Sequence, residues 1–512
     1  MSSDARALPL RDAPLGGAAA RSRRRLGGWP ARALADARRQ QLLGAICLLT
    51  IIAGSVLVVV AAADRPSLLS PTTHASFFPR WMAGPLGGLW PGLPRDSTTL
   101  RWLFTGAVAA MYAAYLLAYA YSSALRARWV IAAVVGAHLV FLMAPPLALT
   151  DVFNYINYGR MEVVHQLNPY TTIPILEPHS DPSYALSNWH QLLSPYGPLF
   201  TLLTFAVVPL GVAASFWALK AILTAASLAM ILLVWRCARL LGRDPVKAIV
   251  LVGLNPVVLV WGLGGDHNDA LMMFLIVLGF YLLLRMRTER EPAAGGLRGW
   301  LRPLSPAGIG AGSAFVTAAA IKASAAVLIP VVLASLLSSP RRLAQVVLGV
   351  ALAGVALGAA SLIAFGLHIP DLSTQGRLVT NESVPNLIGL AVGAGGETES
   401  LRVALGGVLV IAVLLCCVYA WRQRSALNAS GWASVALLVT LSWVLPWYVL
   451  WVLPLAALSS SRRLRTASAV LGVYLIISWA PASTLVWNAI GFHPEKTSLG
   501  RLHQRYVKEL LN

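Results

Sequence analysis

The stretch KAIVLVGLNPVVLVWGLGGDHNDALMMFLIVLGFYLLLR, Lys247–Arg285, decides the fold class. Two apolar runs, 247–263 and 269–286, flank the polar turn Gly264-Gly265-Asp266-His267-Asn268. Basic residues close the far end of each run. An apolar run of about 20 residues crosses a bilayer as a helix. Runs of the same kind recur at 42–63, 101–121, 129–149, 216–236, 342–366, 401–421 and 466–486. Two longer ones, 305–338 and 430–460, each have room for two helices, turning near Lys322 and near Pro446-Trp447-Tyr448. The expectation is an all-α polytopic membrane protein of about thirteen transmembrane helices.

Composition points the same way. Of the 512 residues, 57% are hydrophobic and 12% charged, where an ordinary globular chain is roughly 25% charged. Mean hydropathy is +0.69. A soluble enzyme, a disordered regulator and an ordinary nucleic-acid-binding domain are excluded. The net charge of +20 does not imply nucleic acid, because the cations lie in short clusters between apolar runs. Cys47, Cys237, Cys416 and Cys417 sit in or beside those runs, in no metal-ligand spacing and in no disulfide framework. The run 42–63 is too long for a signal-peptide core and reads as a retained anchor.

Lys and Arg mark the cytoplasmic segments of a membrane protein. With the N-terminus inside, alternate segments hold Arg21, Arg23–Arg25, Arg126, Arg128, Arg236, Arg239, Arg243, Lys247, the Arg285–Arg302 stretch, Arg341, Arg342, Arg422, Arg424 and Arg462–Arg465. The intervening segments are close to neutral. This parity holds only if Leu199–Val212, short and interrupted by Pro209, lies on the outer surface as a juxtamembrane helix. Leu387–Val392 is treated alike. The expected organisation is a basic cytoplasmic arm (1–41), a transmembrane catalytic unit (42–487) with an outer loop at 150–215, and an extracytoplasmic tail (488–512).

Ionisable groups at membrane depth are costly, so each is a functional candidate. Parity places Asp151, Asp266, Asp269 and Lys322 at one face. As a helix, Asp151, Asn154, Tyr155 and Tyr158 share a polar and aromatic side suited to a sugar, although Asp151 could equally be a helix cap. Trp189 and Tyr196 are pocket walls or interfacial anchors. Asp266, His267, Asn268 and Asp269 can bind hydroxyls; a divalent metal is compatible with these residue types but not required by them. Asp269 could also simply cap the next helix. Lys322 either snorkels or holds a phosphate, with Arg377 and Arg160 as further phosphate candidates. No Walker-type glycine loop is present.

Several motifs in order resemble a known family. They are the Ala144-Pro145-Pro146-Leu147 span end, Asp151 with Tyr155 and Gly159, and Asn168-Pro169-Tyr170. Ser194-Pro195-Tyr196-Gly197-Pro198-Leu199, and His267-Asn268-Asp269-Ala270-Leu271-Met272 after Asn255-Pro256, continue the series. The Lys322 hairpin and Pro446-Trp447-Tyr448 with Trp451 complete it. Together they resemble the polyprenol-phosphate-mannose-dependent α-1,6-mannosyltransferases of actinobacteria, which build the mannan core of lipomannan and lipoarabinomannan. The resemblance spans roughly residues 130–460. It implies a GT-C glycosyltransferase fold in the plasma membrane, a polyprenyl-phosphate-mannose donor, a mannan or glycolipid acceptor, and an extracytoplasmic site. It implies a catalytic carboxylate in an early outer loop, which maps onto Asp151. The expected mechanism has Asp151 as base, Lys322 with Arg377 or Arg160 at the donor phosphate, and aromatic residues lining the sugar pocket, with Trp447 and Tyr448 among the substrate-binding candidates. Transfer of another lipid-linked sugar, or a flippase using the same charges for binding, are the alternatives.

Overall fold

The computed structural model describes residues 31–66, 78–147, 151–288 and 304–511, with backbone only at 31–35 and 288. Arg21, Arg23–Arg25, most of the basic arm, Ala148–Thr150 and most of the Arg285–Arg302 stretch lie outside the described residues. The described residues are helices and connections, without a strand. In chain order the principal helices are α1 (Ala31–Asp64), α2 (Ser97–Ala120), α3 (Ala127–Leu142), α4 (Asp151–His165), α5 (Pro198–Val207), α6 (Val212–Leu240) and α7 (Pro245–Gly253). There follow α8 (Asp269–Thr288), α9 (Pro306–Ile321), α10 (Leu328–Ala334), α11 (Pro340–Phe365), α12 (Val384–Ala391) and α13 (Glu399–Gln423). The chain closes with α14 (Ala426–Thr440), α15 (Leu453–Leu458), α16 (Arg462–Trp479), α17 (Ser483–Ala489) and α18 (Ser498–Leu511).

The all-α polytopic expectation holds, and several of the expected runs are interrupted among the described residues. Six described helices are long and apolar enough to cross a membrane, or seven if the bent pair α16–α17 is one span. Other apolar stretches are shorter helices of 10–17 residues, Ala127–Leu142 and Pro306–Ile321 among them. The interruptions have local causes. Pro256 has no N–H to donate, and Asn255 instead accepts from the amides of Val257 and Val258. The run expected at 247–263 is therefore α7, a break and a π-helix at Val258–Leu263. Pro481 likewise divides the run expected at 466–486, where the axis bends by 73°.

Two ends can be distinguished. The α9–α10 turn at Lys322 and the α14–α15 connection at Trp443–Trp451 meet at one cavity. The opposite helix ends meet around Arg243, Arg287, Arg424 and Leu458. From Asp269 to Arg287, α8 covers about 27 Å at 1.5 Å per residue. Helix α5 stays at the cavity end. Its preceding Gly197 donates its N–H to the Ile321 carbonyl at 3.1 Å, and α6 then runs from Val212 to the Arg243 end. A side chain on Gly197 would meet the Ala320 carbonyl oxygen at 2.2 Å, so only glycine permits this backbone contact. The juxtamembrane placement of Leu199–Val212 fits this path.

The loop after α4 is held by a buried charge cluster. Arg160 clamps Asp181 through Nε and Nη2 at 2.8–3.1 Å, and His165 Nε2 lies 2.7 Å away. Burial pushes the Asp181 carboxyl up, but hydrogen bonds from Arg160, Ser183 and His165 prevail and hold it well below the usual range. Glu177 is buried beside Asn157, which donates to one of its oxygens; the other has no partner among the described residues. Burial lifts the Glu177 carboxyl to about 7.

The C-terminal helix α18 ties this loop to the next. The Gln191 amide donates to Leu510 O at 3.0 Å, and Tyr506 Oη to Thr374 O at 3.1 Å. Both anchors adjoin cavity-lining residues, Trp189 and Leu192 on one side and Gln375 on the other.

Two outcomes follow from these contacts. Removal of residues 498–511 deletes the Tyr506–Thr374 hydrogen bond, worth roughly 1 kcal/mol, so local opening of 367–400 rises about fivefold; limited proteolysis of that loop measures it. For Glu177 the folded pKa is raised, so its contribution to stability is complete below about 4.5 and is lost as pH rises through about 7. The melting temperature of Glu177→Gln in nanodiscs should therefore exceed that of wild type at pH 8 and vary less between pH 5 and 8.

Candidate active site

Asp151 opens α4, where the helix dipole favours an acid. Its side chain is 14% exposed and borders a cavity of about 470 Å³, with Trp189, Tyr196, Lys322, Tyr448 and Trp451 on the walls. His267 Nδ1 lies 3.1 Å from Asp151 Oδ2. The imidazole stacks on Trp447 at 3.3 Å between centroids and 10° between planes. That stack holds the ring with Nδ1 beside the carboxylate.

Asp269 opens α8 and gathers the second cluster. It accepts from Lys322 Nζ at 3.0 and 2.9 Å and from Trp451 Nε1 at 2.5 Å. The Lys322 ammonium also sits 4.7 Å from the Tyr448 ring and 5.5 Å from the Trp451 ring, within cation–π range. The Asn268 amide N–H reaches Tyr155 Oη at 3.4 Å. Tyr155 packs edge-on against Tyr196 at 4.7 Å. Asn268 is fully buried, yet its side-chain amide has no hydrogen-bond partner among the described residues. Such a group costs about 1–3 kcal/mol.

Of the candidates from sequence, Asp151, Trp189, Tyr196, Lys322 and Tyr448 border the cavity directly. Tyr155, His267, Asn268, Asp269 and Trp447 are packed immediately behind them. Four others serve different ends. Asp266, expected beside the sugar, is sealed off in an ion pair with Lys220 at 2.8 Å, both groups buried; its φ of 59° turns the backbone away. Asn154 accepts from the amides of Asn188 and Trp189 at 3.1 and 3.3 Å, so it shapes the loop. Tyr158 Oη donates to Leu192 O at 2.7 Å. Arg160 is committed to Asp181.

Arg377, expected at a phosphate, is exposed on the loop. The arginine that does border the cavity is Arg402, on the first turn of α13. Glu397 holds it at 2.9 Å and also accepts from Ser442 Oγ at 2.6 Å. Sequence reasoning missed Lys220 as well. Its charge inside an apolar run was the available signal. Arg402 had no comparable mark, because arginines at span ends are ordinary. The described residues bring no three His, Cys, Asp or Glu side chains into one metal shell.

Helix α13 forms one wall of the cavity through Arg402, Gly406 and Leu409. Only 6% of its apolar window is buried. Beside the bilayer such a helix presents Val410, Ile411 and Leu414 to acyl chains, while Arg402 and Gly406 face inward.

Comparison with known proteins places this arrangement. The family described as "Alpha-(1->6)-mannopyranosyltransferase, N-terminal domain" matches residues 41–338, and the "MptB C-terminal domain" matches 384–491. The chain is 29% identical to alpha-(1->6)-mannopyranosyltransferase A of Mycobacterium tuberculosis, over 66% of this chain and 67% of that protein. A second alpha-(1->6)-mannopyranosyltransferase of the same organism is 28% identical, over 67% and 68%. Alpha-(1->6)-mannopyranosyltransferase A of Corynebacterium glutamicum is 26% identical, over 60% and 66%. No solved structure matches significantly. The first matched segment supplies Asp151, His267, Asp269 and Lys322, and the second supplies Arg402, Trp447, Tyr448 and Trp451, so both contribute to one cavity. The chain belongs to the alpha-(1->6)-mannopyranosyltransferase family.

Proposed function

We propose that this protein transfers mannose from a polyprenyl-phosphate-mannose donor to a hydroxyl of a mannan or lipid-linked glycan, forming an α-1,6 linkage with inversion. The site would face the outside of the plasma membrane, as the Lys and Arg distribution implies. The observation that carries the reading is the single cavity shared by a carboxylate, aromatic walls and two cations, bounded by a helix that is otherwise exposed. A lipid-linked donor can enter beside such a helix with its phosphate at membrane depth.

In this reading Asp151 takes the proton of the acceptor hydroxyl. The acceptor oxygen attacks the anomeric carbon from the face opposite the phosphate. The carbon–oxygen bond to the phosphate breaks, and its electron pair leaves on polyprenyl phosphate. His267, clamped by Trp447, keeps Asp151 aimed. Arg402 and Lys322 offset the charge that develops on the leaving phosphate. Glu397 and Asp269 position those two cations and keep them affordable near the bilayer. Tyr196, Trp189 and Tyr448 supply ring faces for the C–H edges of the sugar.

Two measurements test the roles, both on protein in lipid with the donor and a short α-1,6-mannoside acceptor. Asp151→Asn should lower kcat by about 10²–10⁴ with little change in donor binding; near-wild-type turnover would remove Asp151 as the base. Arg402→Gln should raise the donor KM about tenfold or more, the worth of a charged hydrogen bond, whereas Arg377→Gln should stay near wild type. The reverse ranking would return the phosphate role to Arg377. Donor binding without transfer to any mannoside would favour a flippase.

A further inference from the structure

The end of the helix bundle remote from Asp151 holds a second polar cavity, of about 310 Å³. Arg243, Lys247 and Arg465 line it, with Asp244 as the one acid. None of the three cations forms an ion pair with a carboxylate among the described residues. Asp244 is occupied as the cap of α7, accepting from the amides of Val246 and Lys247 at 2.8 and 3.2 Å. Arg243 donates to the Leu458 carbonyl, and Arg465 donates to Ser459 O at 2.8 Å. Each of these contacts uses one terminal nitrogen and fixes the guanidinium without neutralising it. Lys247 rests 4.8 Å from the Tyr119 ring, a contact that holds its position and leaves its hydrogens available.

The floor of the cavity is equally ordered. Asn428 accepts from Ser459 Oγ and from the Ser460 amide at 2.5 and 3.2 Å, and donates to Ser460 Oγ at 3.0 Å. This network shapes the 459–461 turn that leads into α16, whose N-terminal dipole adds to the positive potential. A smaller cavity of about 90 Å³ alongside shares Arg243 and adds Arg287 and Arg424. Excess Lys and Arg at a membrane face explains loose surface charge. It does not explain two arginines and a lysine from two separate segments, 243–247 and 465, held around one concave space with no ion pair among the described residues.

From this we infer a phosphate-binding site at the far end of the bundle, built for the phosphodiester headgroup of an anionic phospholipid. Arg243 and Arg465 would grip the phosphate oxygens, Lys247 would close the rim, and Ser460 would meet the headgroup hydroxyls. Basic pockets between membrane helices bind such headgroups, with each Lys or Arg contributing of order tenfold or less to affinity. The inference stands apart from mannosyl transfer and does not depend on it.

Native mass spectrometry of the delipidated full chain tests it, with phosphatidylglycerol, phosphatidylcholine and sn-glycerol 3-phosphate as separate probes. Wild type should retain phosphatidylglycerol over phosphatidylcholine by about tenfold or more, and the double variant Arg243→Ala/Arg465→Ala should weaken that binding by about thirtyfold. Arg462→Ala/Arg463→Ala changes net charge equally at exposed positions outside the cavity, and should bind within about twofold of wild type. Lys247→Gln, which breaks no hydrogen bond, should lose several-fold and covers the case in which the double variant misfolds. Displacement by glycerol phosphate at matched concentration would keep the phosphate site and assign it to a soluble ester. Equal loss in the Arg462/Arg463 variant, or no preference between the two lipids, would overturn the inference.

Discussion

The carboxylate of Asp269 joins three pieces of chain at one point. It belongs to the first turn of α8 and accepts from Lys322, at the α9–α10 turn, and from Trp451, in the 446–451 turn. Its side chain is 1% exposed. A buried carboxylate is tolerable only with its charge matched and its lone pairs used. Breaking such a pair costs about 3–5 kcal/mol, because the remaining charge is stranded. The constraint therefore acts on position more than on stability. Lys322 and Trp451 must both lie within hydrogen-bond reach of Asp269, and this brings Tyr448 under the ammonium and Trp447 against His267. His267 then meets Asp151.

A second constraint comes from the membrane. Backbone polar groups cannot go unpaired in hydrocarbon, and non-helical chain survives there only where it lines a cavity or is buried in protein. The breaks in this protein obey that rule. The 264–268 turn, the Lys322 turn and the 441–452 connection all converge on one space. Each break frees side chains or backbone groups that a continuous helix would have turned toward lipid. Lys220 with Asp266 shows the cost being met once more, since the left-handed Asp266 is held by a buried cation and not by solvent.

The two ends of the bundle treat charge differently. At the Asp151 end four cations each have an acid beside them: Lys322 has Asp269, Arg402 has Glu397, Lys220 has Asp266 and Arg160 has Asp181. At the other end Arg243, Lys247 and Arg465 share a cavity without that compensation. An end of that kind is suited to retaining an anion.

The sequence by itself determined the class of the protein and singled out most of the groups that gather at its main cavity. Apolar runs must become membrane helices because nothing else pairs their backbone. Asp151, His267, Asp269 and Lys322 stood out because charge at membrane depth is expensive and local sequence shows it. Asn255-Pro256 and Ala480-Pro481 announced breaks that a count of apolar runs passed over. Only the tertiary structure decided which charges pair. Asp266 and Lys220 are far apart in sequence, and nothing local says that their pairing withdraws Asp266 from the cavity while Asp269 stays with Lys322. The same holds for Arg377 and Arg402. Both lie near the start of α13, and which one faces the cavity depends on where that helix begins and on how Glu397 turns the guanidinium. Pairing across a fold is set by packing of distant segments, and a pattern of spacing along the chain carries no record of it.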